Sequence, residues 1–177
     1  MPGDNARDAV VAFVTPLQQV VHCITNAVVN PRGGYHPRAE PHAVVLNDGQ
    51  PVQLRGARQN LSLSVVHSYR IIEVNQPEGR WKVSSAGYIY TLKELDQALV
   101  AWHWHPWDVS FPHLHLYEAE QLERPDLAKI HYPTGRVSLE SIARFLIREY
   151  SVQPREDNYE EILSRTEEAF RRARTWS

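Results

Sequence analysis

Histidines are concentrated in one short part of this chain. Five of the nine lie between positions 103 and 131. They occur in three segments, Trp102-His103-Trp104-His105-Pro106, Pro112-His113-Leu114-His115-Leu116 and His131-Tyr132-Pro133-Thr134-Gly135-Arg136. Residues two apart on a β-strand share a face, so each His-x-His pair points to one side of a sheet and its Trp or Leu neighbours to the other. If residues 106–112 close a hairpin, four imidazoles lie on one surface, provided that the strand register aligns them.

Imidazoles in this arrangement suit acid–base chemistry. The unperturbed pKa of histidine is about 6.5, so near neutrality one copy accepts a proton while another donates one. Two such groups on either side of a phosphodiester are sufficient to cleave RNA through its 2′-hydroxyl without a metal. In this mechanism His105 or His113 is the base, and His115 or His131 is the acid.

Three further residues would complete that site by binding the substrate. Arg136 follows Gly135 in a turn, where its guanidinium would match two phosphate oxygens and the glycine would let the backbone come close. Tyr88 and Tyr90 lie two apart on a preceding strand. We expect the two tyrosines to orient a nucleotide base or to stack on it.

The same histidines are also candidate ligands for a metal ion. Zinc binds neutral imidazole, and three such ligands with a water molecule form a hydrolytic centre. A nearby carboxylate, from Asp108 or Glu118, would support the ligands or act as a base. The acid–base mechanism needs no cofactor, whereas this alternative needs zinc. Its ligand set is His103, His105, His113 and His115.

A third interpretation involves no catalysis. Histidines on an exposed sheet face are satisfied by water or by neighbouring side chains. The histidine face and the helices near the end of the chain would then dock a partner protein. The sequence leaves the acid–base, metal-binding and interaction hypotheses open.

A helix is predicted ahead of the histidine-rich region. Thr15, Pro16 and Gln18 form a pattern typical of an N-cap, a first-turn proline and a capping-box glutamine. Apolar residues follow at helical spacing, which predicts a helix from Pro16 to about Ala27. The segment Pro31-Arg32-Gly33-Gly34 is typical of a loop.

Residues 42–117 have the sequence pattern of an antiparallel β-meander, with short apolar and β-branched runs separated by turn residues. The segment Asn47-Asp48-Gly49-Gln50 predicts a tight hairpin turn. Residues 92–95 are a candidate helical turn that interrupts the sheet. The predicted strands are 43–46, 52–55, 62–74, 81–90, 97–105 and 113–117.

Two helices are predicted at the end of the chain, over 138–174. Ser138 is the expected N-cap of the first, and Asp157 with Glu160 form a capping pair for the second. Segregated strands and helices predict an α+β fold in which these two helices pack on one face of the sheet. We expect a single domain over 1–177, with a helical segment at 1–36, the meander at 42–117 and the helices at 138–174.

Composition narrows the classes of partner and compartment. Nineteen Lys and Arg balance twenty-one Asp and Glu, which gives no overall basic footprint for nucleic acid but leaves room for a local patch. Cys23 is the only cysteine, so no intrachain disulfide is possible. No apolar run approaches the ~20 residues that cross a bilayer, and the first eight residues are polar. We expect a cytoplasmic protein with no membrane partner and of undetermined oligomeric state.

Three segments carry a resemblance to a known family. They are the strand around Tyr69 to Glu73, the turn near Gly79-Arg80, and Pro112-His113-Leu114-His115. In these the middle third of the chain resembles the TumE-type toxins of prokaryotic toxin–antitoxin pairs, which carry a β-meander, a Pro-His-x-His-like element and a C-terminal helix. The resemblance implies a toxin that acts on RNA and is neutralised by a cognate antitoxin, with His113 and His115 as functional positions. Residues 1–40, 102–106 and 131–136 depart from that pattern.

Overall fold

Nine strands and three α-helices make up the part of the chain that the structure describes. The structure is a computed structural model that describes residues 2–37, 42–56, 60–117, 127 and 129–173. A 3₁₀ helix covers Asn47–Gly49. The elements in chain order are β1 Pro2–Gly3, α1 Ala6–His22, β2 Val29–Arg32, β3 His42–Leu46, β4 Val52–Gln53, β5 Leu61–Gln76, β6 Gly79–Glu94, β7 Gln97–His105, β8 Val109–Leu116, β9 Tyr132–Pro133, α2 Leu139–Glu149 and α3 Tyr159–Ala173.

The strands form one antiparallel sheet in which most neighbours are consecutive in the chain. Its order is β2-β3-β5-β6-β7-β8-β9, with β1 paired to β6 and β4 paired to β5. One helix precedes this sheet and two follow it, which confirms the predicted α+β class. The long hairpin of β5 and β6 lies at the centre of the order, and the β7–β8 hairpin extends it to one side.

The sheet has an inner face that is buried and an outer face that is partly exposed. On β5, Leu63 is fully buried and belongs to the inner face, whereas Val66 is 38% exposed and belongs to the outer face. Directly paired residues share a face. Val66 pairs with Ile89, Ile89 pairs with His103, and His103 pairs with His113. His103 and His113 therefore lie on the outer face.

The helices cover the inner face. Phe13 of α1 lies 5.5 Å from Tyr69 of β5 between ring centroids, and Phe145 of α2 lies 5.5 Å from Trp102 of β7. The third helix, α3, packs against α1 and α2. As predicted, the Ser138 side chain caps α2. None of the helices in the described ranges is long and apolar enough to cross a membrane.

The first helix starts earlier than the sequence pattern predicts. It begins at Ala6 with Asn5 as its N-cap, so the predicted start at Pro16 is wrong. The hydroxyl of Thr15, the expected cap, instead donates to the carbonyl oxygen of Val11 at 2.8 Å inside the helix. The cap-like residues lie inside the helix because a stripe of buried residues continues on both sides of them. That stripe consists of Ala9, Val10, Phe13, Leu17, Val20 and Val21.

Three predicted breaks in the sheet also differ from the structure. Val29–Arg32 forms β2 and pairs with β3, although part of it was expected to be loop. The proposed helical turn at 92–95 is wrong, because β6 continues to Glu94 and the chain turns at Leu95 and Asp96, both with positive φ. The turn at residues 47–50 does not close a hairpin, since β3 and β4 both pair with β5.

Candidate metal centre

Four of the clustered histidines lie together on the outer face of the β7–β8 hairpin. His103 pairs directly with His113, and His115 pairs with Ala101 one step along. The ring centroids of His103 and His113 are 5.5 Å apart, and those of His103 and His115 are 4.9 Å apart. The His105 ring lies 5.2 Å from that of His113. The turn is tighter than expected, with β7 ending at His105 and β8 starting at Val109.

The fifth histidine, His131, lies on a separate segment of the chain. β9 pairs with β8 through Pro133 to His113 and Tyr132 to Leu114. This pairing brings the preceding residue, His131, beside the hairpin. Its ring centroid lies 4.6 Å from that of His113 and 4.8 Å from that of His115. All five histidines therefore form one cluster.

His113 lies at the centre of this cluster and is completely buried. Its Nδ1 lies 3.0 Å from the carbonyl oxygen of Phe111. A carbonyl can only accept, so Nδ1 carries the proton and Nε2 of the neutral ring keeps a lone pair. Nε2 is buried and has no hydrogen-bond partner in the described part of the chain. A buried acceptor left in this way costs about 1–3 kcal/mol, which a bound cation would offset.

Two sets of three histidines bring ligand nitrogens close enough for one ion. Within each set the nitrogens lie within 4.8 Å of one another. Ligands at a zinc–nitrogen distance of about 2.0–2.1 Å in a tetrahedron are about 3.4 Å apart, so small side-chain movements suffice. Imidazole ligands favour zinc, copper, iron or nickel over magnesium or calcium. The first set is His103, His105 and His113, and the second is His113, His115 and His131.

Burial keeps two of these histidines in the neutral form that binds metals. It lowers the pKa of His103 to about 4, and the positive charges that the other four histidines can carry act in the same direction. Burial likewise lowers the pKa of His113, although its bond to the Phe111 carbonyl opposes this shift. Both rings are therefore neutral at pH 7. Neutral rings make good ligands but poor proton donors.

One of the two predicted carboxylates lies beside the cluster. An oxygen of Asp108 is 3.5 Å from Nδ1 of His105. Metal-binding histidines commonly direct their second ring nitrogen to a carboxylate or a carbonyl, as His113 does here. Glu118, the other predicted carboxylate, lies outside the described residues.

Exposed aromatic side chains border the cluster on the outer face. Trp107 in the hairpin turn is 71% exposed, and its ring lies 6.1 Å from that of His105. A Cβ on Gly87 would lie 3.1 Å from the indole, so the absence of a side chain there lets Trp107 lie close to the sheet. Phe111, 40% exposed, is 5.9 Å from His113. These rings give the site an apolar edge.

The structure does not bring the predicted substrate-binding residues to the histidines. The Arg136 guanidinium lies 4.0 Å from the ring centroid of Trp104, on the inner side of β7. Tyr88 and Tyr90 are buried on the inner face, where their rings stack 4.7 Å apart. Tyr88 accepts a hydrogen bond from the backbone N–H of Val137 at 2.8 Å.

Two buried histidines outside the cluster, to which the sequence pattern assigns no role, lie on the inner face. His67 is held between the Tyr90 hydroxyl at 2.8 Å and the Ser85 hydroxyl at 2.9 Å. His42 stacks on Tyr69, with ring centroids 5.3 Å apart. The available signal was alternation, because His67 falls in step with Leu63 on β5.

The comparisons with known proteins identify no relative. No family model matches this chain, and no curated protein or solved structure is similar to it. The resemblance to the TumE-type toxins stays a prediction. The geometry of the histidine cluster is therefore the evidence about function.

Proposed function

We propose that this protein is a metal-dependent hydrolase whose histidine cluster binds a divalent transition-metal ion, with zinc as the first candidate. One observation carries the proposal. Nε2 of His113 is a buried lone pair without a hydrogen-bond partner among the described residues, and four other imidazoles surround it. A metal ion is the partner that suits such an acceptor and its neighbours.

The metal-free mechanism has weaker support. The residue expected to bind the phosphate in that mechanism is Arg136, whose guanidinium lies over Trp104 rather than beside the histidines. A metal ion would supply a positive charge at the histidines instead.

The reaction we propose is hydrolysis of an ester or phosphodiester bond. A zinc ion held by three imidazoles lowers the pKa of a bound water to about 7 and polarises the bond under attack. Water adds to the phosphorus or carbonyl carbon, the bond to the leaving oxygen breaks, and that oxygen takes up a proton. Trp107 and Phe111 would contact a planar or apolar group of the substrate. RNA as the substrate and a cognate antitoxin as partner, which the TumE resemblance implies, belong to this proposal.

Hydrolysis of bis(p-nitrophenyl) phosphate and of a short RNA tests the proposal. We expect turnover by untagged protein loaded with zinc, loss of turnover in chelator, recovery on adding zinc back, and none in His113→Ala. The variant His22→Ala removes an exposed histidine outside the cluster and should match the wild type. Turnover that survives the chelator would support the metal-free mechanism instead, and no turnover of any substrate would contradict both.

A further inference from the structure

We infer that the five clustered histidines hold one metal ion per chain, in either of two positions that share His113 as a ligand. The inference deepens the proposed function and depends on its metal binding, but it does not depend on hydrolysis. It concerns how the ion is held and which histidines are left beside it.

The limit of one ion follows from the hydrogen bond of His113. Both ligand sets contain this residue. Its Nδ1 lies 3.0 Å from the Phe111 carbonyl oxygen and must donate to it, so only Nε2 can bind a metal. A single nitrogen lone pair binds one ion. The two sets therefore exclude each other as long as that hydrogen bond is kept.

The two positions have comparable surroundings. Each combines the buried His113 with two more accessible histidines, and in each the nitrogens lie within 4.8 Å. The position with His103 and His105 lies near the hairpin turn, where Asp108 approaches His105 at 3.5 Å. The position with His115 and His131 lies near the start of β9. Only small rotations of side chains separate them, because all five rings pack within one cluster.

This arrangement leaves two histidines beside the ion in either position. With the ion on His115 and His131, the His103 ring lies 4.9 Å from a ligand ring. With the ion on His103 and His105, the His131 ring lies 4.6 Å from that of His113. The pair that does not bind the ion lies beside the rings that do. The cluster thus combines metal ligands with adjacent imidazoles, which explains why it has five histidines rather than three.

Titration of untagged, metal-free protein with Zn²⁺ alone tests the inference, with stoichiometry measured by native mass spectrometry and affinity by calorimetry. The wild type should bind one equivalent. The double variants His103→Ala/His105→Ala and His115→Ala/His131→Ala each keep one complete set, so each should still bind one equivalent, with affinity reduced less than about hundredfold. His113→Ala and His113→Gln should bind less than a tenth of an equivalent, and His22→Ala should match the wild type.

Two results would overturn the inference. Two equivalents in the wild type would mean that two ions bind together, and loss of binding in only one double variant would mean that a single position exists. Cobalt adds an independent readout, because the visible spectra of the two double variants should differ and that of the wild type should be intermediate. Circular dichroism confirms that each variant is folded. No zinc binding in the wild type would contradict both this inference and the proposed function. Zinc binding without hydrolysis would contradict only the proposed function.

Discussion

Two buried histidines, His67 on the inner face and His113 on the outer face, are held in different ways. Both ring nitrogens of His67 lie within 2.9 Å of a hydroxyl group, one from Tyr90 and one from Ser85. His113 has a partner for Nδ1 only, and its Nε2 is unpartnered within the described chain. The residues around His67 are Phe13, Tyr88 and Tyr90, whereas those around His113 are mainly other histidines.

This difference separates a structural histidine from a candidate ligand. Two hydroxyl groups satisfy His67 completely, because a hydroxyl can donate to one ring nitrogen or accept from the other. His113 keeps a lone pair that no donor among the described residues satisfies, at a cost to stability. Burial is similar in both cases, so the pairing of the ring nitrogens, together with the imidazoles that surround His113, distinguishes the two roles.

The largest expected effect is on zinc affinity. His113→Leu should weaken zinc binding at least about hundredfold, since changing residues that merely support a ligand already costs ~10–100-fold. His67→Leu should leave the affinity within about threefold of the wild type. Competition with a chromophoric zinc chelator measures both. Equal losses in the two variants would mean that binding depends on general folding rather than on the outer face.

For the stability of the metal-free protein, His67→Leu should have a larger effect than His113→Leu. His67→Leu removes both buried hydrogen bonds of the ring, to the hydroxyls of Tyr90 and Ser85, and should lower the free energy of unfolding by about 2–4 kcal/mol. His113→Leu loses the hydrogen bond to the Phe111 carbonyl but also removes a buried ring nitrogen that has no partner among the described residues, so the change should stay within about 1 kcal/mol. Urea denaturation in the presence of a chelator gives both values. A large loss for His113→Leu would show that this ring is structural.

Acidification should destabilise the protein through His67. Burial lowers its pKa in the folded state to about 4, against about 6.5 when unfolded. Between these values the unfolded chain binds the extra proton, so stability falls as pH drops below about 6.5, and the loss is complete below about 4. For His67 alone this amounts to about 2 kcal/mol at pH 5. Denaturation of the wild type and His67→Leu at pH 7.5 and 5 should show a smaller pH-dependent loss in the variant; equal losses would refute the assignment.

The smallest effect concerns the exposed aromatic edge of the outer face. Trp107→Ala should leave zinc binding unchanged, because the indole is not a ligand. It should raise the KM for bis(p-nitrophenyl) phosphate about 2–10-fold through the loss of an aromatic contact, with kcat nearly constant. Leu95→Ala is a suitable control, since Leu95 is 69% exposed in another turn. An unchanged KM would remove Trp107 from the substrate site.

Much of the fold could be predicted from the sequence because alternation and helical spacing follow directly from burial. Strand β7 was predicted with its observed ends, and the four histidines of the hairpin were expected on one face. The start of α1 could not be predicted, because Thr15, Pro16 and Gln18 match the pattern of a helix start although the helix continues through them. The short strand β2 lies in a segment whose proline and glycines are more typical of loops.

The site was predicted in part. The sequence identified the histidines of the site. It did not show where His131 lies, because that position depends on the pairing of β9 with β8. The roles of Arg136 and the two tyrosines were inferred from side-chain chemistry, and the structure places them on the other side of the sheet. The hydrogen bond from His113 to the Phe111 carbonyl could not be predicted, because every residue at position 111 has the same backbone carbonyl.

Metal analysis of the untagged protein and of three variants, after exposure to zinc and gel filtration, tests whether His113 binds a metal ion. We predict about one equivalent of zinc in the wild type, His22→Ala and His67→Leu, and almost none in His113→Ala. Zinc retained by His113→Ala at the wild-type level, or no zinc in any of the four proteins, would contradict the account.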